Sequence, residues 1–338
     1  DVSKDTKKIK WSSSLESMFK RGHKLKFDSS AICEALYRPF TQSYLYFDKD
    51  LIHRMGQMQK IFPESNRDNL VIGVTGVGAQ EFSCLMSKSP PSYDFLSKSQ
   101  CFPLHLYEEK VETQGELTFD LPGEKSNKIA ICDEILKSYK LHYKFDEISK
   151  EDIFFFIYGI LHSKDYREKF ANNLKKSLPR IPLLKKIDDF SLFSQSGKNL
   201  SQLHTEFNNV DMHQISIKQG DLRLLYIESP KEFFRVEKMK FASKNNKSSI
   251  IYNRNITIEN IPLEAYDYVV NGKSALEWVM ERQSITRDNA SGIINDANEF
   301  ANETMKNPRY PLELFQRVIT VSLETIKIVN SLPDLDID

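Results

Sequence analysis

Residues able to do chemistry are present in this chain, but not at the spacings that chemistry needs. Gly73, Gly76 and Gly78 follow an apolar run and invite a phosphate-cradling loop, because glycines let backbone N–H groups approach a diphosphate. The pattern is G-x-x-G-x-G with no Gly-Lys-Ser/Thr ending, and a turn between strands is the simpler reading. The histidines at His23, His53, His105, His142, His162, His204 and His213 form no H-E-x-x-H pair, and no serine sits in a G-x-S-x-G elbow. His105 alternates within an apolar run, where a bonded core histidine is favoured over one facing a cleft. Cys33, Cys84, Cys101 and Cys132 are widely spaced, with neither a C-x-x-C pair nor zinc-finger spacing, so reduced thiols and no structural metal are expected. A nuclease carboxylate set and a helicase phosphate loop are likewise missing. The chain is therefore expected to catalyse nothing alone and to need no cofactor of its own.

One string comes closer to a catalytic motif. Asn307-Pro308-Arg309-Tyr310 resembles the N-P-P-Y loop with which amino-methyltransferases hold a flipped adenine. Here Arg309 replaces the second proline, the string lies between two helical stretches, and no glycine-rich cofactor loop precedes it. Helix punctuation by Pro308 and Pro311 accounts for it.

The elements that must position any functional residue follow from length and pattern. With 338 residues the chain has room for two domains, or for one large domain with subdomains. Lys+Arg and Asp+Glu each number 47, so no net field steers a polyanion toward the molecule. Charge is segregated nevertheless. Asp1 to Phe27 carries eight basic against three acidic residues, Lys164 to Lys186 eight against two, and Lys231 to Arg254 seven against two. His105 to Asp152 and Asp296 to Asp338 are acidic, so one basic face can form on a neutral protein. No apolar run approaches the ~20 residues that span a bilayer, and no signal peptide opens the chain. A start at Asp1 instead of Met suggests a fragment or a processed chain, and the Lys, Asn, Ile, Phe and Ser content suits an AT-rich bacterial genome.

Residues 1–30 are polar and read as a linker from something upstream. Residues 31–120 hold short runs rich in aromatic and β-branched residues: Tyr37 to Phe40, Tyr44 to Phe47, Leu70 to Val77, Phe82 to Met86 and Phe102 to Tyr107. These predict a β-rich unit. Residues 121–338 predict mixed support. Ile131, Ile135 and Tyr139 recur every four residues, Ile153 to Leu161 is almost wholly apolar, and Tyr166, Phe170, Leu174 and Leu178 again repeat every four; Pro179 and Pro182 end this helical block. A second small β element follows at Leu222 to Ile227, Val236 to Phe241, Ile250 to Tyr252 and Ile256 to Ile258, with Asn253-Arg254-Asn255 as a hairpin tip. Helices return at Ser274 to Arg282, Ala297 to Lys306 behind an Asn295/Asp296 cap, and Pro311 to Asn330. In the last, Phe315, Val318, Ile319, Ser322, Ile326 and Val329 form one stripe. The fold class is α+β: a β-rich unit, then helical blocks with a second small β element.

Tyr268 to Gln283 (YVVNGKSALEWVMERQ) and Thr286 to Asn298 (TRDNASGIINDAN) resemble the C-terminal specificity domain of type ISP restriction-modification enzymes. So do Tyr37 to Phe40 (YRPF) with Leu45 to Phe47 (LYF), Phe102 to Tyr107 (FPLHLY), and Tyr158 to Pro182 (YGILHSKDYREKFANNLKKSLPRIP). Together they span about Ala31 to Leu332 in the family's order. Ala297 stands where the family has a proline, Gln283 where it has an aromatic, and the Pro90-Pro91 region is unusual. The family joins a nuclease, a helicase-like translocase, an adenine-N6 methyltransferase and a target-recognition domain in one polypeptide. The resemblance implies sequence-specific recognition of double-stranded DNA; a monomer is expected, and the lack of a spanning run or signal peptide gives a bacterial cytoplasmic location as the expectation. A methyltransferase in cis would lie upstream, its target adenine positioned by this chain. S-adenosylmethionine, ATP and Mg would serve only those upstream parts.

On that reading, phosphate-positioning cations must accompany side chains that reach base edges. The base-contact candidates are Arg38, Gln42, Arg54, Gln57, Gln80, Lys98 and Gln100. For phosphates the candidates are Lys175, Lys176 and Arg180, with Lys238, Lys240 and Arg254 as a second patch. Trp278 reads as core and not as a stacking platform. The alternative function is a protein-interaction scaffold that docks partner domains without reading DNA, which net neutrality and acidic C-terminal helices would suit.

Overall fold

Local sequence rules place most elements, and packing decides how they are used. The computed structural model describes residues 5, 11–63, 69–79, 81–109, 125–222, 226–244 and 246–337. These are mixed α and β, with helices in blocks and several small antiparallel sheets. The chain divides into two compact units, each discontinuous in sequence: Leu25–Arg38, Gln42–Thr205 and Ser331–Asp338 form one, and Asp1–Lys24, Pro39–Thr41 and Glu206–Asn330 the other. This division cuts across the sequence boundary at residue 120.

In the first unit, Val71–Val74 is the central strand of a three-stranded sheet, flanked by Cys84–Ser87 and Gln100–Pro103. Both neighbours run antiparallel to it, with Val74 opposite Cys84 and Gln100. All four residues of the central strand are buried, which selects Val and Ile for their fit to a pleated, covered surface. Gly73 is required there, because a Cβ would fall 2.0 Å from the ring tip of fully buried Phe95. Ile32–Arg38 pairs with Thr41–Tyr46, and His105–Glu109 with Lys125–Ile129. The run Tyr37 to Phe40 is not all strand: the strand ends at Arg38, and Phe40 turns the chain in the left-handed region at φ 54°.

Beneath this sheet lies a helix pair. Lys150–His162 starts with a capping box, Ser149 accepting from the Asp152 amide and Asp152 accepting in return. It packs along Ile187–Thr205, a 19-residue helix that the sequence pattern does not reveal. That helix is rich in Ser, Asp, Asn and Gln, and much of its buried face is small: Ser194, Gly197 and Ser201 lie among Phe190, Phe193 and Leu200. Small residues let the backbones touch. A Cβ on Gly197 would sit 1.9 Å from the Phe155 carbonyl oxygen, and one on Gly159 would sit 2.3 Å from that of Phe193. The four-residue repeat from Tyr166 to Leu178 forms two short helices, Lys164–Lys169 and Ala171–Leu174, with Leu178 outside both.

A buried polar network ties sheet to helices. The Tyr158 hydroxyl accepts from the Met86 amide at 2.9 Å and donates to Nδ1 of His204 at 2.6 Å. His162 donates from Nδ1 to the Tyr158 carbonyl at 2.9 Å, and Arg167 donates to Cys84 Sγ at 3.4 Å. Burial lowers the pKa of His204 to about 3. His162 is held well below the ordinary histidine value by burial first, then by Arg167 and His204. Both rings are neutral at physiological pH. Cys33, Cys84, Cys101 and Cys132 are free thiols, and burial pushes Cys101 up to about 12.

The second unit is built on Tyr310–Asn330, whose stripe buries Phe315, Val318, Ile319 and Ser322, leaving Ile326 and Val329 half-buried. Against it packs Ala275–Arg282, capped by Ser274 in a second capping box. Trp278 is a core residue, as its sequence context predicts: it is buried and its indole donates to the Val270 carbonyl at 2.7 Å. Asp296 caps the next helical stretch by accepting from the Asn298 amide. That stretch is α-helical only over Ala297–Glu299 and continues as a π-helix over Phe300–Thr304, ending short of Lys306. A four-stranded sheet runs in the order Ser216–Ile217, Thr257–Glu259, Asn246–Ile251, Lys240–Ser243. The Asn253-Arg254-Asn255 tip joins its two central strands, as expected. Val236 to Met239 precede the edge strand instead of forming it. Of the Leu222 to Ile227 run, residues 223–225 lie outside the described residues and the rest is not strand.

Candidate nucleic-acid interface

The end of the three-stranded sheet marked by Val74 collects several of the polar candidates. Gly76 donates its N–H to the Ser97 carbonyl at 3.0 Å, and a Cβ at Gly76 would fall 2.1 Å from the Lys98 carbonyl oxygen. This glycine serves close approach of two backbones and not a phosphate cradle. Gly78 turns at φ 77°, and its carbonyl accepts from Lys98 Nζ at 3.3 Å. Lys98 itself lies in the left-handed region at φ 51°, next to the start of the strand that presents Gln100. The 92–99 segment is thus anchored from below by Phe95 and from the side by Gly76.

The strand Ile32–Arg38 joins the same segment. The Leu36 N–H donates to the Pro90 carbonyl at 3.1 Å, and the Ser92 N–H donates to the Leu36 carbonyl at 2.9 Å. The unusual Pro90-Pro91 pair therefore forms a short bridge, with Leu36 parallel to Pro91. This docking places Arg38 beside Ser92, 54 residues away in sequence. Arg38 Nη1 donates to Ser92 Oγ at 3.0 Å and to the Tyr37 carbonyl at 2.8 Å, while its guanidinium carbon lies 4.3 Å from the Tyr37 ring centre. Tyr93, 78% exposed, stands next to Ser92.

The structure thus links Arg38, Lys98 and Gln100 through one anchored segment. Arg54 and Gln57 lie elsewhere, exposed on the turn before the helix Met58–Ile61, and no contact among the described residues ties them to that group. Arg54 has φ 56° and Gly56 φ 61°, so the turn is sharply folded. Ile61 and Phe62 anchor it against Val71. Gln42 is half-buried in the strand Thr41–Tyr46. Gln80 lies outside the described residues. Tyr37, Ser92 and Tyr93 are site residues that sequence reasoning did not single out; the Tyr-Arg neighbours in YRPF were the one available signal, and nothing local identifies Ser92 as a partner.

The phosphate candidates form two exposed groups. Lys175, Lys176 and Arg180 follow the helix Ala171–Leu174, the last fixed by its carbonyl accepting from the Tyr166 hydroxyl at 2.9 Å. In the second unit, Lys238, Lys240 and Arg254 line one cleft of about 430 Å³ together with Arg235 and Glu237. The hairpin tip is bolted in place there. Asn253 Nδ2 donates to the carbonyls of Phe233 and Arg235, both at 2.9 Å, and Asn255 Nδ2 donates to that of Phe233 at 3.1 Å. Arg235 is paired with Asp296 at 2.9 Å, whereas Lys238, Lys240 and Arg254 have no ion-pair partner among the described residues. Burial raises the Asp296 carboxyl, but hydrogen bonds from Asn298 and Arg235 outweigh it and leave the group below its usual value.

The Asn307-Pro308-Arg309-Tyr310 string is helix punctuation. Asn307 Oδ1 accepts from the Arg309 amide at 2.9 Å, Arg309 covers the Phe234 ring, and buried Tyr310 donates its hydroxyl to Asn208 at 3.1 Å. A tyrosine so committed cannot stack on a base. Among the described residues no three His, Cys, Asp or Glu side chains gather as for a metal, and no helix is long and apolar enough to cross a membrane.

The family described as "Type ISP C-terminal specificity domain" matches residues 1–314. Among solved structures, the chain is similar to the ATP-dependent Type ISP restriction-modification enzyme LlaBIII bound to DNA, at 33% identity and a TM-score of 0.83, over 99% of this chain and 20% of that one. It is similar to a nuclease-deletion mutant of the Type ISP restriction-modification enzyme LlaGI in complex with a DNA substrate mimic, at 34% identity and a TM-score of 0.79, over 100% and 24% of the two chains. A DrdV–DNA complex matches at 30% identity and a TM-score of 0.77, over 98% and 31%. The chain therefore spans between a fifth and a third of the length of these proteins. No curated protein matches it.

Proposed function

The chain belongs to the family of Type ISP C-terminal specificity domains, and from that premise we propose that it recognises a target sequence in double-stranded DNA for a restriction-modification enzyme. The observation that carries this reading is the likeness, over almost the whole chain, to three proteins whose structures are DNA complexes. The anchored edge with Arg38, Lys98 and Gln100 supports base contact, since side chains held in place lose little freedom when they bind. The cations Lys238, Lys240 and Arg254, without ion-pair partners among the described residues, together with Lys175, Lys176 and Arg180, suit phosphates, which position a duplex without reading it.

In this reading the chain is the non-catalytic, monomeric part of a bacterial cytoplasmic enzyme. It presents the target adenine to a methyltransferase in cis, and S-adenosylmethionine, ATP and Mg serve other parts of that polypeptide. Arg54, Gln57 and Gln42 are retained as base-contact candidates at a separate turn and strand.

Selection against a randomised duplex pool at low and physiological salt tests the reading. Enrichment of a short asymmetric motif, with retention falling as salt rises, is expected, because phosphate contacts release counterions. Retention at neither salt would refute DNA recognition and favour a scaffold that docks protein domains.

A further inference from the structure

Arg38 differs from every other cation at the candidate interface in how it is held. Its Nη1 is used twice, by the Tyr37 carbonyl at 2.8 Å and by Ser92 Oγ at 3.0 Å. Ser92 Oγ in turn donates to the same Tyr37 carbonyl at 2.8 Å, closing a small ring of hydrogen bonds. The Ser92 amide is fixed by the Leu36 carbonyl, and the guanidinium plane is further restrained by the Tyr37 ring. Among the described residues neither Nε nor Nη2 has a protein acceptor. The edge carrying those two atoms is the pair of parallel donors that matches two adjacent acceptors.

We propose that Arg38 is a preset guanine reader, with its Nε/Nη2 edge donating to O6 and N7 of one guanine in the major groove. This rests on the proposed DNA recognition and names the base that one residue specifies. Guanine presents two neighbouring acceptors to that groove, and no other base does. A phosphate could also accept from this edge, but phosphate contact does not need an arginine locked on three sides, and the exposed lysines lining the cleft of the second unit suit that purpose. Tyr37 and Ser92 are positioning residues: they fix the edge and do not themselves touch the base.

The test compares duplex-pool selections made with the unaltered chain, Arg38→Ala, Arg38→Lys and Ser92→Ala, with thermal melting of each as a control for folding. The unaltered chain should enrich a motif containing a guanine. Arg38→Ala and Arg38→Lys should both lose preference at that one position, by roughly 5- to 150-fold, and keep the others. Ser92→Ala should lose part of it. If Arg38→Lys keeps the guanine while Arg38→Ala merely weakens retention at all sequences, Arg38 contacts phosphate and the assignment fails. An unchanged motif in Arg38→Ala overturns it too. Salt-sensitive retention of the unaltered chain without any motif overturns the preset reader while leaving DNA binding standing; no retention overturns both.

Discussion

The edge at Val74 and the cleft around Arg254 use polar side chains in opposite ways. At the edge, Arg38, Lys98 and their neighbours are tied by hydrogen bonds and by glycines that admit close backbone contact. In the cleft the backbone is bolted down by Asn253 and Asn255, while Lys238, Lys240 and Arg254 extend from it without ion-pair partners among the described residues. A fixed donor can discriminate between bases because a wrong partner leaves it unsatisfied. A free ammonium on a long stem can follow a phosphate of any sequence and discriminates little. On the proposed function the difference would separate reading from positioning, and that separation can be tested.

The largest effect should come from the body that carries the edge. Gly197→Ala forces a methyl group against a backbone oxygen that cannot yield, and should cost about 3 kcal/mol or more by overpacking. Chemical denaturation measures it; a loss within experimental error would mean that the two helices separate freely. Motif enrichment should fall with the stability of this unit.

Acid should distinguish the units next. His204 has its folded pKa lowered to about 3, so below the unfolded value near 6.5 the unfolded chain takes up a proton that the folded chain refuses. Stability contributed by the neutral ring is complete above about pH 6.5 and is lost as pH falls toward 3. Between pH 7 and pH 5 this one histidine should cost about 2 kcal/mol, and His162 acts in the same direction. The lowered carboxylates of the second unit, Glu277, Glu281 and Asp296, titrate only at more acid pH. Hydrogen exchange at pH 5 should therefore rise first in Lys150–His162 and Ile187–Thr205, and equal rises in Tyr310–Asn330 would contradict this.

Within the interface, Gly76→Ala should push the Lys98 backbone away and cost about 1–3 kcal/mol, with motif enrichment weakened more than overall retention. Equal weakening of both would remove the distinction between edge and cleft. The mildest change should be joint substitution of Lys238, Lys240 and Arg254 by Ala. It should leave the motif intact and flatten the salt dependence of binding by ~0.9 for each phosphate no longer neutralised. An altered motif would place base reading in the cleft.

The sequence by itself determined the family, through strings spread from YRPF to SALEWV, and the helix starts at Ser274 and Asp296, because capping is a rule of near neighbours. It also determined the hairpin tip at Asn253 to Asn255, where asparagine satisfies its own backbone. The helix Ile187–Thr205 was illegible: its packing face relies on glycine and serine, which carry no hydrophobic period, and its worth depends on another glycine 38 residues away, at Gly159. The same limit hid the partnership of Arg38 with Ser92. Only the docking of Leu36 along Pro90 to Ser92 turns one arginine among many into a fixed donor edge, since hydrogen bonds between distant segments follow from register and not from composition.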